Sequence, residues 1–148
     1  MKKTAGFLTA ALAACLLVLS ACSARTPISS DDFQKKAEAL GYKVSQDSSS
    51  SGSDAKTLTA AKSDSDTQIT FTTFSDASAA QEQYASLKES LKATGGTSTV
   101  DSDSYNKYTA QNGEIYYTLV RMGDTLLNCK GTVGKKDEID NFVKEIKY

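Results

Sequence analysis

Three cysteines and no histidine bound the chemistry open to this chain of 148 residues. A cysteine nucleophile acts as the thiolate, and it wants an imidazole or another cationic neighbour to lower its pKa. Cys129 has no histidine to draw on. It falls on the inward side of a predicted strand, where a cysteine behaves as a small buried hydrophobe. Zinc bound through histidine is excluded for the same reason. Two Asp-x-Asp pairs, Asp64/Asp66 and Asp101/Asp103, offer oxygens to calcium, but the glycine and terminal glutamate of a calcium loop are missing. Both read as turns. Ser53-Asp54-Ala55-Lys56 and Ser104-Tyr105-Asn106-Lys107 match Ser-x-x-Lys, a serine nucleophile with a lysine base. The companion Ser-Asp-Asn and Lys-Thr-Gly motifs are absent, and about two such matches are expected by chance in a chain this rich in serine and lysine. No phosphate-binding glycine loop, nucleophile elbow or paired-carboxylate signature appears. The residues therefore predict no catalytic centre, no cofactor and no metal.

A different chemistry is written into the first residues. Lys2-Lys3 precede an uncharged run from Ala5 to Leu19, which ends in Leu19-Ser20-Ala21-Cys22. A basic start, an apolar core and a small-residue end form a secretory signal. The run is short for a membrane span, which needs about 20 apolar residues, and no basic stop follows Cys22. Here the chain resembles bacterial lipoproteins, whose lipobox reads aliphatic, small, small, Cys. The resemblance implies diacylglyceryl transfer to the Cys22 thiol, cleavage between Ala21 and Cys22, and often acylation of the new amino group. Leu12-Ala13-Ala14-Cys15 also reads like a lipobox, but the apolar run continues through Leu16-Leu17-Val18-Leu19, so Cys22 is the better site. Each buried methylene contributes about 0.8 kcal/mol, and two or three acyl chains anchor firmly where one binds only marginally. The short tether and lysine-rich last helix resemble small lipoproteins of Gram-positive bacteria; in Gram-negative ones, Ser23 rather than Asp after the cysteine would imply outer-membrane export. The address implied is the extracytoplasmic side of a cell membrane. With Cys22 lipidated and Cys15 removed, Cys129 is solitary, so no intramolecular disulfide forms.

Residues 1–21 are then signal, 22–30 tether, and 31–148 one domain. The part from Cys22 onward holds all eighteen acidic residues against fifteen of the seventeen basic ones, about −3 in net charge. The signs are interspersed, and no basic stripe suggests nucleic acid.

Apolar spacing and turn residues lay out the domain. Ser29, Ser30 or Asp31 can cap a helix starting near Asp32, with Phe33, Ala37 and Leu40 on one stripe and Gly41 as its stop. Tyr42 to Val44 begins a strand, and residues 45–54, mostly serine, read as a loop. Strands follow over Lys56–Lys62 and Gln68–Phe74, then a helix from Ser75 or Asp76 to Ala93 striped by Ala77, Ala80, Tyr84, Leu87 and Leu91. Strands over Thr97–Asp101, Tyr105–Ala110, Glu114–Met122 and Thr125–Val133 come next, the last three joined by Asn112-Gly113 and Gly123-Asp124 hairpins. A final helix over Lys136–Lys147 carries Ile139, Phe142, Val143 and Ile146. The expected fold is α+β: a single antiparallel β-sheet with helices packed on one face, in an order that contains two ββα-like units. These registers put Tyr108 opposite Tyr117 and Tyr117 opposite Lys130, with Arg121 on the same face. If no helix covers that face, it is an aromatic and cationic platform for an envelope protein or wall polymer. The reading is a non-enzymatic, membrane-anchored binding module; a small-ligand carrier with a pocket between sheet and helices is the alternative.

Overall fold

In the computed structural model, residues 25–47, 55–91 and 93–148 are described. Three helices, α1 (Ser30–Ala39), α2 (Ala77–Ser90) and α3 (Lys136–Glu145), accompany seven strands: β1 (Lys43–Gln46), β2 (Lys56–Ala61), β3 (Gln68–Thr73), β4 (Gly95–Asp101), β5 (Tyr105–Asn112), β6 (Ile115–Met122) and β7 (Thr125–Thr132). Every pairing is antiparallel in one sheet of order β1-β2-β3-β7-β6-β5-β4. From β3, beside the central strand, α2 carries the chain out to the β4 edge, and a meander brings it back to pair β7 with β3. The lipobox, Cys22, Cys15 and residues 48–54 lie outside the described residues.

The α+β sheet is the one expected, but the helices divide between its faces. On one face α1 and α3 close the larger core: Phe33 stacks on Phe71 with ring centroids 4.7 Å apart, and Phe142 meets Phe33 and Tyr42 edge-on. On the other, α2 presses Tyr84 onto Tyr108, Ala110, Leu119 and Leu126, with Phe74, Leu87 and Leu91 alongside. The placement of all helices on one face is thereby corrected. The physical reason is the middle of the sheet: along β6, both Val120 and Leu119 are fully buried, so the strand is apolar on both sides and each side needs a cover. Both ββα units exist, as β2-β3-α2 and β6-β7-α3, but their helices leave for opposite faces. Beyond the reach of α2, the same face turns polar, with Thr57 and Thr72 bonded across β2 and β3 at 3.0 Å.

Two hairpins set the registers. Gly123-Asp124 connects Met122 to Thr125 as expected, so Val120 faces Leu127, Thr118 faces Cys129 and Tyr117 faces Lys130. The other loop is Gly113-Glu114 rather than Asn112-Gly113, because Asn112 pairs with Ile115. Gly113 takes φ +59° at the first loop position, the place for glycine in a II′ turn. Tyr108 therefore faces Leu119, and Ala110 faces Tyr117. A slip of two residues keeps each side chain on its face.

Helix ends follow local chemistry. Ser29 and Asp76 accept the amide protons of Asp32 (3.1 Å) and Ala79 (2.9 Å) as N-caps of α1 and α2. α1 ends with Gly41 at φ +84°, the Gly41 amide donating to Glu38 O and the Tyr42 amide to Ala37 O, a Schellman closure. α3 ends by the same pattern, Lys147 to Lys144 O and Tyr148 to Val143 O, with Lys147 at φ +67° where α1 has glycine. Residues 25–29, read as tether, lie along the domain: Ile28 packs on the larger core and Pro27 sits beside Gly123.

Candidate functional site

The platform residues do not form one exposed surface. Tyr108 is 8% exposed and Arg121 2%, both beneath α2 or the loop beside it; Tyr117 is half-buried and Lys130 exposed. Arg121 is a structural group. Its Nε donates to Asn106 Oδ1, Nη1 to Gly123 O (3.1 Å), and Nη2 to Asp103 O (2.8 Å) and Ser102 O (3.4 Å). The guanidinium thus ties the Ser102–Ser104 turn to the Gly123 turn, with acceptors for a charge that could not otherwise be buried. The platform requires an open face, and α2 closes most of it.

The other singled-out residues take ordinary places. Cys129 is fully buried, and burial pushes its thiol pKa well up, the reverse of what a nucleophile needs. Asp101 accepts from Asn106 Nδ2 (3.2 Å) and pairs with Lys88 (3.4 Å), and Asp66 accepts the Thr132 amide (3.3 Å). Among the described residues, no group of three or more His, Cys, Asp or Glu is placed to hold a metal. No described helix is long and apolar enough to cross a membrane.

A different site emerges on the α1/α3 face, where α3 stops short of the outer strands. Between its last turn and β5-β4 lies an open groove of about 620 Å³, lined by Arg25, Val100, Tyr105, Lys107, Asp140, Lys144, Lys147 and Tyr148. Lys107 rises from β5 opposite Val120. The Arg25 guanidinium lies 4.4 Å from the centre of the Tyr105 ring. The carboxylate of Asp140 is already engaged by the Tyr116 hydroxyl (2.8 Å) and by Lys136. None of Arg25, Lys107, Lys144 and Lys147 has an ion-pair partner among the described residues.

Electrostatics agree with that census. Loss of hydration lowers the Lys107 pKa; Asp140 acts against this, while Arg25 and Lys136 add to it. Burial raises the Tyr105 pKa, opposed by Arg25. Tyr148, pushed up to about 12 by burial, shares a 2.7 Å hydrogen bond with Thr125 Oγ1 and lines the groove. The groove offers an excess of positive charge, a planar guanidinium and aromatic walls, which suit an oxyanion. Sequence reasoning missed it, although one signal was present: the hairpin register sets Lys107 on the sheet face that carries Val120 and the larger core, where a lysine is costly unless its charge has a use. A second open hollow of about 540 Å³ lies between α2 and the outer strands, lined by Gln81, Tyr84, Lys88, Asp101 and Tyr108 among others. The Tyr84 hydroxyl there is buried without a hydrogen-bond partner.

No protein-family model matches the sequence, and no curated protein does. Among solved structures, the fold is similar to that of a GTP binding regulator from Thermotoga maritima, with a TM-score of 0.54 and 15% sequence identity. The likeness covers 82% of this chain and 88% of that one. At such identity the similarity is one of fold.

Proposed function

We propose that the chain is an exported lipoprotein, held by lipid on Cys22 at the extracytoplasmic side of a cell membrane, whose domain is a binding module of the cell envelope rather than an enzyme. The lipobox Leu19-Ser20-Ala21-Cys22, placed after an apolar run and a basic start, supports the anchor. The observation that carries the binding role is the groove, where four cations without ion-pair partners among the described residues share the lining with one engaged carboxylate. A carrier of a small apolar ligand needs an enclosed, largely apolar cavity. Both hollows described are open and charge-lined, which favours a surface that meets a partner. The GTP named for the Thermotoga protein is not carried over, since fold likeness does not transfer a ligand.

The test is metabolic labelling with an alkyne-bearing palmitate, comparing the native chain with Cys22→Ser. The native chain is expected to take the label and fractionate with membranes, and the variant to lose the label. Equal labelling of the two, or native protein recovered unlabelled, contradicts the reading.

A further inference from the structure

Three observations converge on the groove. The first is its position: Arg25 follows Cys22 by three residues, and an extended chain advances at most about 3.5 Å per residue, so the two Cα atoms lie within about 11 Å. The acyl chains on Cys22 enter the hydrocarbon, and the headgroup layer above it is only about 6 Å deep. Arg25, and with it the part of the groove it lines, therefore lies at or just above the phosphates.

The second is Lys147. α1 and α3 close with the same pair of backbone hydrogen bonds, and α1 fills the left-handed position with Gly41. α3 fills it with a lysine, the only described residue other than glycine at positive φ. A side chain is disfavoured in that conformation, yet here it delivers a cation to the groove. The third is Val100, half exposed at the rim and the most exposed large hydrophobe among the described residues. Cations beside an exposed apolar side chain match a membrane surface, where phosphates overlie acyl chains.

The geometry points to the groove as a seat for the phosphate of anionic phospholipid headgroups in the same membrane that holds the anchor; this rests on the lipoprotein reading. Arg25 can offer two parallel N–H donors to phosphate oxygens, while Lys107, Lys144 and Lys147 supply point charges. Docking there would orient the domain on its membrane instead of leaving it free on a tether.

The test uses the full lipidated chain in vesicles of phosphatidylcholine, with and without about one third phosphatidylglycerol. Anionic lipid is expected to raise the melting temperature of the native chain by about 3 °C, and concentrated salt to remove the gain. Lys147→Gly is expected to melt higher than the native chain in pure phosphatidylcholine, because glycine accepts the left-handed position, yet to lose more than half of the anionic gain. Lys107→Met is expected to lose a similar share. A gain of native size in both variants overturns the assignment. So does an equal gain from free glycerol phosphate with pure phosphatidylcholine, which would make the ligand a soluble phosphate. Alkyne-palmitate labelling of the same preparation reads the anchor separately. A labelled chain with no anionic gain fails the groove alone, whereas an unlabelled chain fails the reading beneath it.

Discussion

Lys147 is the residue whose presence ordinary stability arguments explain least. A cation near a helix C-terminus gains about 0.3–1 kcal/mol from the macrodipole, whereas a left-handed conformation costs a non-glycine residue roughly 1–2 kcal/mol. The balance is unfavourable, and Gly41 shows the alternative within the same molecule. Arg121 is the opposite case, read as a contact residue but serving the fold. Its acceptors are mostly backbone carbonyls at Ser102, Asp103 and Gly123, and their convergence depends on turn geometry that no periodicity reports. Arg121→Met is expected to destabilise the domain by about 3 kcal/mol in urea unfolding, since it strands these acceptors and Asn106. Cys129 was legible from strand parity and the absence of histidine. At pH 8 its thiol is expected to resist iodoacetamide in the folded chain and to react on denaturation, as mass spectrometry of the alkylated protein will report.

At the scale of elements, the helices and strands were legible because nearly all carry a stripe, an alternation or a glycine-bearing turn; β1, begun at Tyr42 to Val44 in the sequence, runs on through Gln46 into the stretch read as loop over 45–54. The face chosen by α2 was not, since amphipathicity says that a helix buries a stripe but not against which side of a sheet. The clue lay in its partner: in Ile115-Tyr116-Tyr117-Thr118-Leu119-Val120 nearly every position is apolar or aromatic, as in a strand covered on both sides. The N-cap of α2 gives a direct check on this element. Asp76→Ala is expected to cost about 1 kcal/mol, because the Ala79 amide loses its acceptor. The unpartnered Tyr84 hydroxyl gives another: Tyr84→Phe is expected to hold or raise stability by up to about 1 kcal/mol, since it removes a buried polar group and no hydrogen bond. A loss of more than that in chemical denaturation would mean that the hydroxyl has a partner in solution.

The whole molecule joins a two-sided sheet to a segment, 25–29, that lies along the domain with Ile28 packed on the larger core. Burial of phenols on both faces makes its stability sensitive to alkali. Tyr84, on the α2 side, and Tyr148, on the α1/α3 side, are each raised by burial to about 12 from an ordinary value of 10.0. Between those values the unfolded chain gives up protons that the folded chain retains, so the stabilisation is complete below pH 10 and is lost as pH rises toward 12. Melting temperatures are expected to fall across that window. The groove was not legible as a site because its cations come from three separated stretches, at Arg25, Lys107 and Lys144 to Lys147, which only the packing of α3 beside β5 brings together. The central claim is that this domain is tied to a membrane by lipid on Cys22. It is tested most directly by the intact mass of the chain extracted from membranes. The account predicts a first residue of Cys22 carrying at least two acyl chains; a chain that starts elsewhere, or bears an unmodified Cys22, would contradict it.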